Sequence, residues 1–336
     1  MKTRLIAEIS ANHLGELKIA KKLILAASEA GATHVKLQTY KADTMTLNLD
    51  SADFSISDNH KLWGGRSLYE LYEEAHTPWE WHEELFEFAE ELGIRIFSSP
   101  FDKTAVDFLE NLDISMYKIA SMESGDIPLI KYIAKTQKPI IASTGSSTLE
   151  EIDELVHAVN SEGNKNLTLL LCTSAYPTPQ NQVHLARIDL LRERYNVPVG
   201  LSDHTLGNSA SLAAVAMGAT VIERHFILDR SQGGPDSAFS LEPRELSDLS
   251  RKIEQIEESI GNRDWVIQPD ESESRRLRRS LIIVKDVKRG DVVTEKNIKS
   301  LRPAIGLEPK FFNDVVGKKF TSNFKCGHPL SWAAIE

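Results

Sequence analysis

The segment PIIASTGSSTLEEIDELVHAVNSEGNKNLTLLLCTS, residues 139–174, decides the fold. PIIAST (139–144) reads as a short buried strand. TLEEIDELVHAV (148–159) repeats its apolar residues at helical spacing, and LTLLLCTS (167–174) is apolar almost throughout, as a strand covered on both faces would be. Outward from this unit the same alternation continues. LIAEIS (5–10), HVKLQT (34–39), IRIFSS (94–99) and MYKIAS (116–121) precede it, and PVGLSDH (198–204) and TVIERHF (220–226) follow. The helical patterns IAKKLILAASEAG, PWEWHEELFEFAEELG and LGNSASLAAVAMG lie between them, each closed by a glycine that suits a C-cap. Eight strand–helix units in roughly 260 residues are the arithmetic of a TIM (β/α)8 barrel. An open doubly wound sheet is the competitor, but no GxGxxG follows the first strand. One connection is oversized: Lys41 to Thr77, after the second strand, carries Trp63, Gly64, Gly65 and Tyr69 and reads as a candidate lid.

The full 336 residues exceed what one core usually serves, so a smaller second domain is expected. With 41% hydrophobic and 26% charged residues, the chain is neither collagen-like nor disordered. Residues 1–261 hold 24 basic and 39 acidic residues, whereas 262–336 hold 15 and 10. The sign changes at a polar stretch containing PDESESRRLRR. The expected division is therefore a barrel over 1–261, a linker over 262–280 and a basic domain over 281–336 that could dock on an acidic barrel. A net charge of −10 disfavours nucleic acid or an anionic membrane as partner, and RRLRR beside DESES reads as a solvated or docking segment. Two cysteines, Cys172 and Cys326, without CxxC spacing suit a reducing cytoplasm, with Cys172 a small buried residue. MKTRLIAEIS reads as neither signal peptide nor membrane span.

In such barrels chemistry sits at the C-terminal ends of the strands. Those ends carry Glu8, Lys36, Lys118 with Ser121 and Glu123, Ser143, Ser174 with Tyr176, Ser202 with Asp203 and His204, and Glu223 with His225. An unpaired ammonium inside an apolar strand is costly, so Lys36 and Lys118 each require an anion. Ringed by hydroxyls they suit a phosphate plus carboxylate, and the competing reading pairs them with Glu8 and Glu123 as barrel filling. His204 and His225 end neighbouring strands and could aim at one metal. Asp203, Glu223 and Asp236 lie nearby, and oxygen-rich surroundings without thiolate favour Mn or Mg.

AEISANH (7–13), VKLQTY (35–40), SSPFD (98–102), YKIAS (117–121), STG (143–145), CTSAYPTP (172–179), GLSDHT (200–205), ERHF (223–226) and GGPDSAFSLEP (233–243) occur in that order. Together they closely resemble the sialic acid synthase family of phosphoenolpyruvate-dependent nonulosonic acid synthases. The tail LIIVKDVKRGDVVTEKNIKSLRPAIGLEP (281–309) resembles the antifreeze-like SAF domain, a β-clip, that members carry after the barrel. LWGGRSLYELYEEAHTPWEWH (62–82) and GGPDSAFSLEP look like the branch that makes pseudaminic acid. Legionaminic and N-acetylneuraminic acid are the alternative products.

The resemblance implies condensation of phosphoenolpyruvate with the open-chain aldehyde of 2,4-diacetamido-2,4,6-trideoxy-L-altrose and water, releasing phosphate. It assigns phosphoenolpyruvate to Lys36, Lys118, Ser121, Ser143, Ser174 and Ser202, and the sugar to Tyr176, Asp236 and Arg302. It implies a metal on His204 and His225 that polarises the aldehyde, while Glu8 or Glu123 handles the cationic carbon and the water. Two departures stand out: Ser174 occupies a position where sialic acid synthases usually have asparagine, and Ser237 one where the sialic acid branch tends to have histidine. Arg302, in SLRP, matches the pattern of a tail that covers a partner's barrel, implying a domain-swapped homodimer. Readings from other classes are a Schiff-base aldolase using Lys36 or Lys118, and a noncatalytic sugar-binding barrel.

Overall fold

The computed structural model describes residues 2–58 and 62–336, which divide into two units, 1–261 and 262–336. In the first, β1 (Arg4–Glu8), β2 (His34–Thr39), β3 (Arg95–Pro100), β4 (Tyr117–Ile119), β5 (Ile140–Ser143), β6 (Leu167–Cys172), β7 (Val199–Ser202) and β8 (Val221–His225) pair in parallel and in chain order. β1 pairs β8 and closes the barrel. The TIM barrel read from the sequence is thus the fold. The strands stop slightly short of the runs read from sequence, so Ser174 and His204 stand just past their ladders.

The longer barrel helices bury an apolar stripe. In Leu149–Ser161, for example, Ile152, Leu155, Val156 and Val159 are buried. Its start is fixed reciprocally: Thr148 Oγ1 accepts from the Glu151 amide at 3.3 Å, and Glu151 accepts from the Thr148 amide at 2.7 Å. Such a cap stabilises by about 1 kcal/mol. At Gly200 a Cβ would collide with the carbonyl of Val221, so only glycine lets β7 lie this close to β8.

Register carries the site. Glu8 stands opposite Lys36 on one side and His225 on the other, while Ser202 stands opposite Cys172 and Glu223. Side chains alternate along a strand, so Glu223 and His225 share one face of β8 and Arg224 takes the other. The described residues of the long connection after β2 form the α-helices Ala42–Met45 and Leu68–Ala75, the 3-10 turn Ala52–Phe54 and an antiparallel bridge between Ser55 and Ser67; residues 59–61 lie outside the described ones.

The second unit pairs β9 (Ser280–Ile283) with β10 (Ile298–Leu301) antiparallel over a small core that includes Leu281, Ile283, Ile298, Phe320 and Leu330. A short helix, Glu271–Arg276, forms within the stretch read as linker. Among the described residues no helix is long and apolar enough to cross a membrane.

Candidate active site

The C-terminal mouth of the barrel opens into a cavity of about 420 Å3. Glu8, Lys36, Lys118 and Glu223, from β1, β2, β4 and β8, are all buried, and the last three line it. Lys36 is ion-paired with Glu8. Lys36 Nζ also lies 3.8 Å from Glu223 Oε2, and Lys118 Nζ lies 3.6 Å from Glu223 Oε1, which accepts a hydrogen bond from Ser202 Oγ at 2.9 Å. Burial works against the Lys36 ammonium, but Glu223 and Glu8 beside it hold its pKa above the ordinary lysine value. Among the described residues Lys118 has one ion-pair partner, Glu223. Burial, with the like charge of Lys36, draws it below the ordinary value despite Glu223. Burial opposes the Glu223 carboxylate too, yet Lys118 and Lys36 pull it down to about 2. Lys118 therefore pairs with Glu223 and not, as the barrel-filling reading had it, with Glu123.

Glu123 ends the 3-10 turn Ser121–Glu123 beyond β4. Its Oε2 is buried without a hydrogen-bond partner, and burial raises its pKa to about 7. It lines the cavity together with Ser121, Ser143 and Ser202. Ser143 Oγ is buried and unpaired. The Gly145 amide donates to Ser121 Oγ at 3.2 Å, and a Cβ on Gly145 would collide with both Ser121 Oγ and Ser174 Oγ. Glycine here leaves these hydroxyls their room, and Ser121, Ser143 and Ser202 share the cavity with the Lys36 and Lys118 ammonium groups, a donor set suited to an anion with several acceptor oxygens.

His204 and His225 both line the same cavity, their rings tilted against each other with centroids 5.2 Å apart. Phe239 packs edge-on against both, and Tyr176 lies 4.5 Å from the His204 ring. The loop carrying His204 is fixed from behind by the fully buried Arg224. Its Nη1 donates to Asp203 Oδ2 and to the Gly207 carbonyl, and its Nη2 to the Thr205 carbonyl, all at 2.8 Å. Ser211 Oγ donates to the same Asp203 oxygen at 2.5 Å. Cys172, buried as read from the sequence, has its Sγ 4.0 Å from His204 Nδ1.

The two histidines fit a divalent ion in a restricted sense. His225 Nδ1 has no hydrogen-bond partner, although Asp236 Oδ2 stands 3.2 Å away. Among the described residues no group of three or more His, Cys, Asp or Glu could hold a metal. The donor set is thus two imidazoles, with the remaining positions left to oxygen ligands.

Of the residues expected to meet the sugar, Tyr176 and Asp236 line the cavity, whereas Arg302 is exposed on the second unit. Trp63 also lines it, donating from Nε1 to the Pro235 carbonyl at 2.9 Å; Tyr72, one turn along from Tyr69, is the lid tyrosine found there. An apolar wall of Met45, Ile56, Leu68, Leu71 and Phe101 completes the lining. The sequence marks this connection by its length and by Trp63 and Tyr69, but does not point to these five residues.

A parallel barrel with a cationic, hydroxyl-lined pocket at its C-terminal mouth and a small appended domain defines the class of protein. Residues 23–264 match the NeuB family and residues 278–336 match the SAF domain. The chain belongs to the NeuB family. A pseudaminic acid synthase of Campylobacter jejuni is 46% identical over 98% of this chain and 95% of its own length. An N,N'-diacetyllegionaminic acid synthase of the same species is 39% identical over 96% and 97%. In structure the chain is similar to an N-acetylneuraminic acid synthetase of Leptospira borgpetersenii crystallised with citrate, with a TM-score of 0.72 and 29% identity over 82% of this chain and 90% of that one.

Proposed function

We propose that this chain is a pseudaminic acid synthase: it joins phosphoenolpyruvate to the open-chain aldehyde of 2,4-diacetamido-2,4,6-trideoxy-L-altrose and releases phosphate. The observation that carries this reading is the convergence of Lys36, Lys118, Ser121, Ser143, Ser202, His204, His225 and Glu123 on one cavity. The greater identity to a pseudaminic than to a legionaminic acid synthase supports the branch.

Lys36, Lys118, Ser121, Ser143, Ser174 and Ser202 hold the phosphate and carboxylate of phosphoenolpyruvate. Carbon 3 attacks the aldehyde carbon, whose oxygen takes a proton, and carbon 2 becomes cationic. Glu123 stabilises that cation and removes a proton from the water adding to it, a task suited to a carboxyl poised near neutrality. Glu8 is committed to Lys36 and serves by holding that ammonium in place. The resulting adduct loses phosphate through its carbon–oxygen bond, leaving a 2-keto acid. A divalent ion on His204 and His225, Mn or Mg, would supply a Lewis acid for the aldehyde oxygen. Tyr176 and Asp236 orient the sugar. The same reading takes the protein as a cytoplasmic, domain-swapped homodimer in which Arg302 of a second copy meets the sugar's N-acetyl group. Arg302→Ala should then raise the KM for sugar and leave that for phosphoenolpyruvate, and equal KM values for sugar would contradict the swap.

One observation favours a second reading: the depressed pKa of Lys118 is also what a Schiff-base lysine requires. Phosphate release and product mass, measured with Mn and phosphoenolpyruvate, decide between them. The altrose-configured sugar, the legionaminic precursor and N-acetylmannosamine are offered in parallel. Turnover with the altrose sugar alone supports the proposal, and turnover with another sugar alone moves the branch. Silence with all three, together with borohydride trapping of pyruvate on Lys118, would establish the aldolase.

A further inference from the structure

The cavity has two chemically opposite sides. One is the charged and hydroxyl-lined end already described. The other is built from the connection after β2: Met45, Ile56, Leu68, Leu71 and Tyr72 all line it. Leu71 is buried, but Met45, Ile56, Leu68 and Tyr72 keep part of their surface exposed. This apolar surface belongs to the same cavity as the reacting end. Tyr72 lines it together with Glu123. The wall is anchored on both sides. Trp63 Nε1 bonds the Pro235 carbonyl next to Asp236, and the Ile56 amide donates to the Arg66 carbonyl at 2.8 Å. None of these side chains offers a sugar hydroxyl a strong partner except the Tyr72 phenol.

We propose that this wall is the specificity element of the site, and that Met45, Leu68 and Leu71 select a sugar bearing a methyl group at carbon 6 over one bearing a hydroxymethyl. The inference rests on the synthase reading above and deepens it. A methyl placed there completes the burial of the wall, whereas a hydroxyl gives up water for carbon neighbours. A hydrophobic pocket discriminates one such group by roughly 10- to 200-fold, which sets the scale of the expected preference.

The test compares kcat/KM for the 2,4-diacetamido-2,4,6-trideoxy sugar and its 6-hydroxy counterpart, at saturating phosphoenolpyruvate, in wild type, Met45→Gln and the double variant Met45→Gln/Leu68→Asn. Wild type should favour the deoxy sugar by roughly tenfold or more. The double variant should lose most of that ratio while its KM for phosphoenolpyruvate stays unchanged, and Met45→Gln, on a short peripheral helix, should move in the same direction should the double variant fold poorly. A ratio unchanged in both variants, or no preference in wild type, overturns the inference and leaves the synthase intact. Turnover of neither sugar by wild type overturns the synthase reading, and this inference with it.

Discussion

Glu123 offers the sharpest prediction, because one substitution should push stability and activity in opposite directions. Its pKa is raised by burial from 4.5 to about 7. At 1.36 kcal/mol per pH unit, that displacement corresponds to about 2–3 kcal/mol, allowing for the water that reaches part of the side chain. The folded pKa lies above the unfolded one, so the folded state holds the proton more tightly. The stabilising contribution is complete below about pH 4.5, falls as the pH rises and is gone above about 7. Glu123→Gln removes the titration. Urea denaturation should therefore find the two proteins equally stable near pH 4 and the variant more stable by about 2–3 kcal/mol near pH 8. In kcat/KM, wild type should rise to a plateau above about pH 7, because the base must be ionised. The variant should lose that limb together with about 10²- to 10⁴-fold in kcat. A stability difference independent of pH, or a surviving limb in the variant, would refute the assignment.

His225→Ala should abolish turnover and also the shift in Tm that Mn gives the wild type; a retained Mn-dependent shift would remove His225 from the metal. Gly145→Ala places a methyl where Ser121 Oγ and Ser174 Oγ stand, so the KM for phosphoenolpyruvate should rise at least tenfold while circular dichroism stays unchanged; an unaltered KM would place the phosphoenolpyruvate elsewhere. Arg224→Met strands the buried Asp203 charge and should cost about 3–5 kcal/mol in urea melts, since removing one partner of a buried pair leaves the other uncompensated. Wild-type stability in that variant would mean that the loop carrying His204 is held by something other than Arg224.

The barrel was legible because its signal is repetitive: eight apolar runs, each short enough for a strand and separated by helical periods, leave few other arrangements. The rim residues were legible by position, as the polar ends of those runs. Partnership was less so. Which carboxylate serves Lys118 depends on distances across the barrel interior, and a strand ladder in sequence gives only its nearest neighbours; β8 sits across from β4, and Glu223, not Glu123, reaches it. A clue was present in the two-residue spacing of Glu223 and His225, which sends both inward and Arg224 outward. The apolar wall was invisible for a different reason. Met45, Ile56 and Leu68 lie in a connection with no sustained period, and their common face exists only once the chain has folded back through the bridge between Ser55 and Ser67.

In the proposed reaction water, deprotonated by the protein, adds to carbon 2 of phosphoenolpyruvate, so that phosphate leaves through its carbon–oxygen bond. Running the reaction in 18O-labelled water with the altrose-configured sugar and examining the released phosphate by mass spectrometry tests this directly. Unlabelled phosphate, released only when the sugar is present, is the predicted result. Phosphate carrying one 18O would mean attack at phosphorus, and the absence of any sugar-dependent phosphate would mean that this cavity does not perform the condensation.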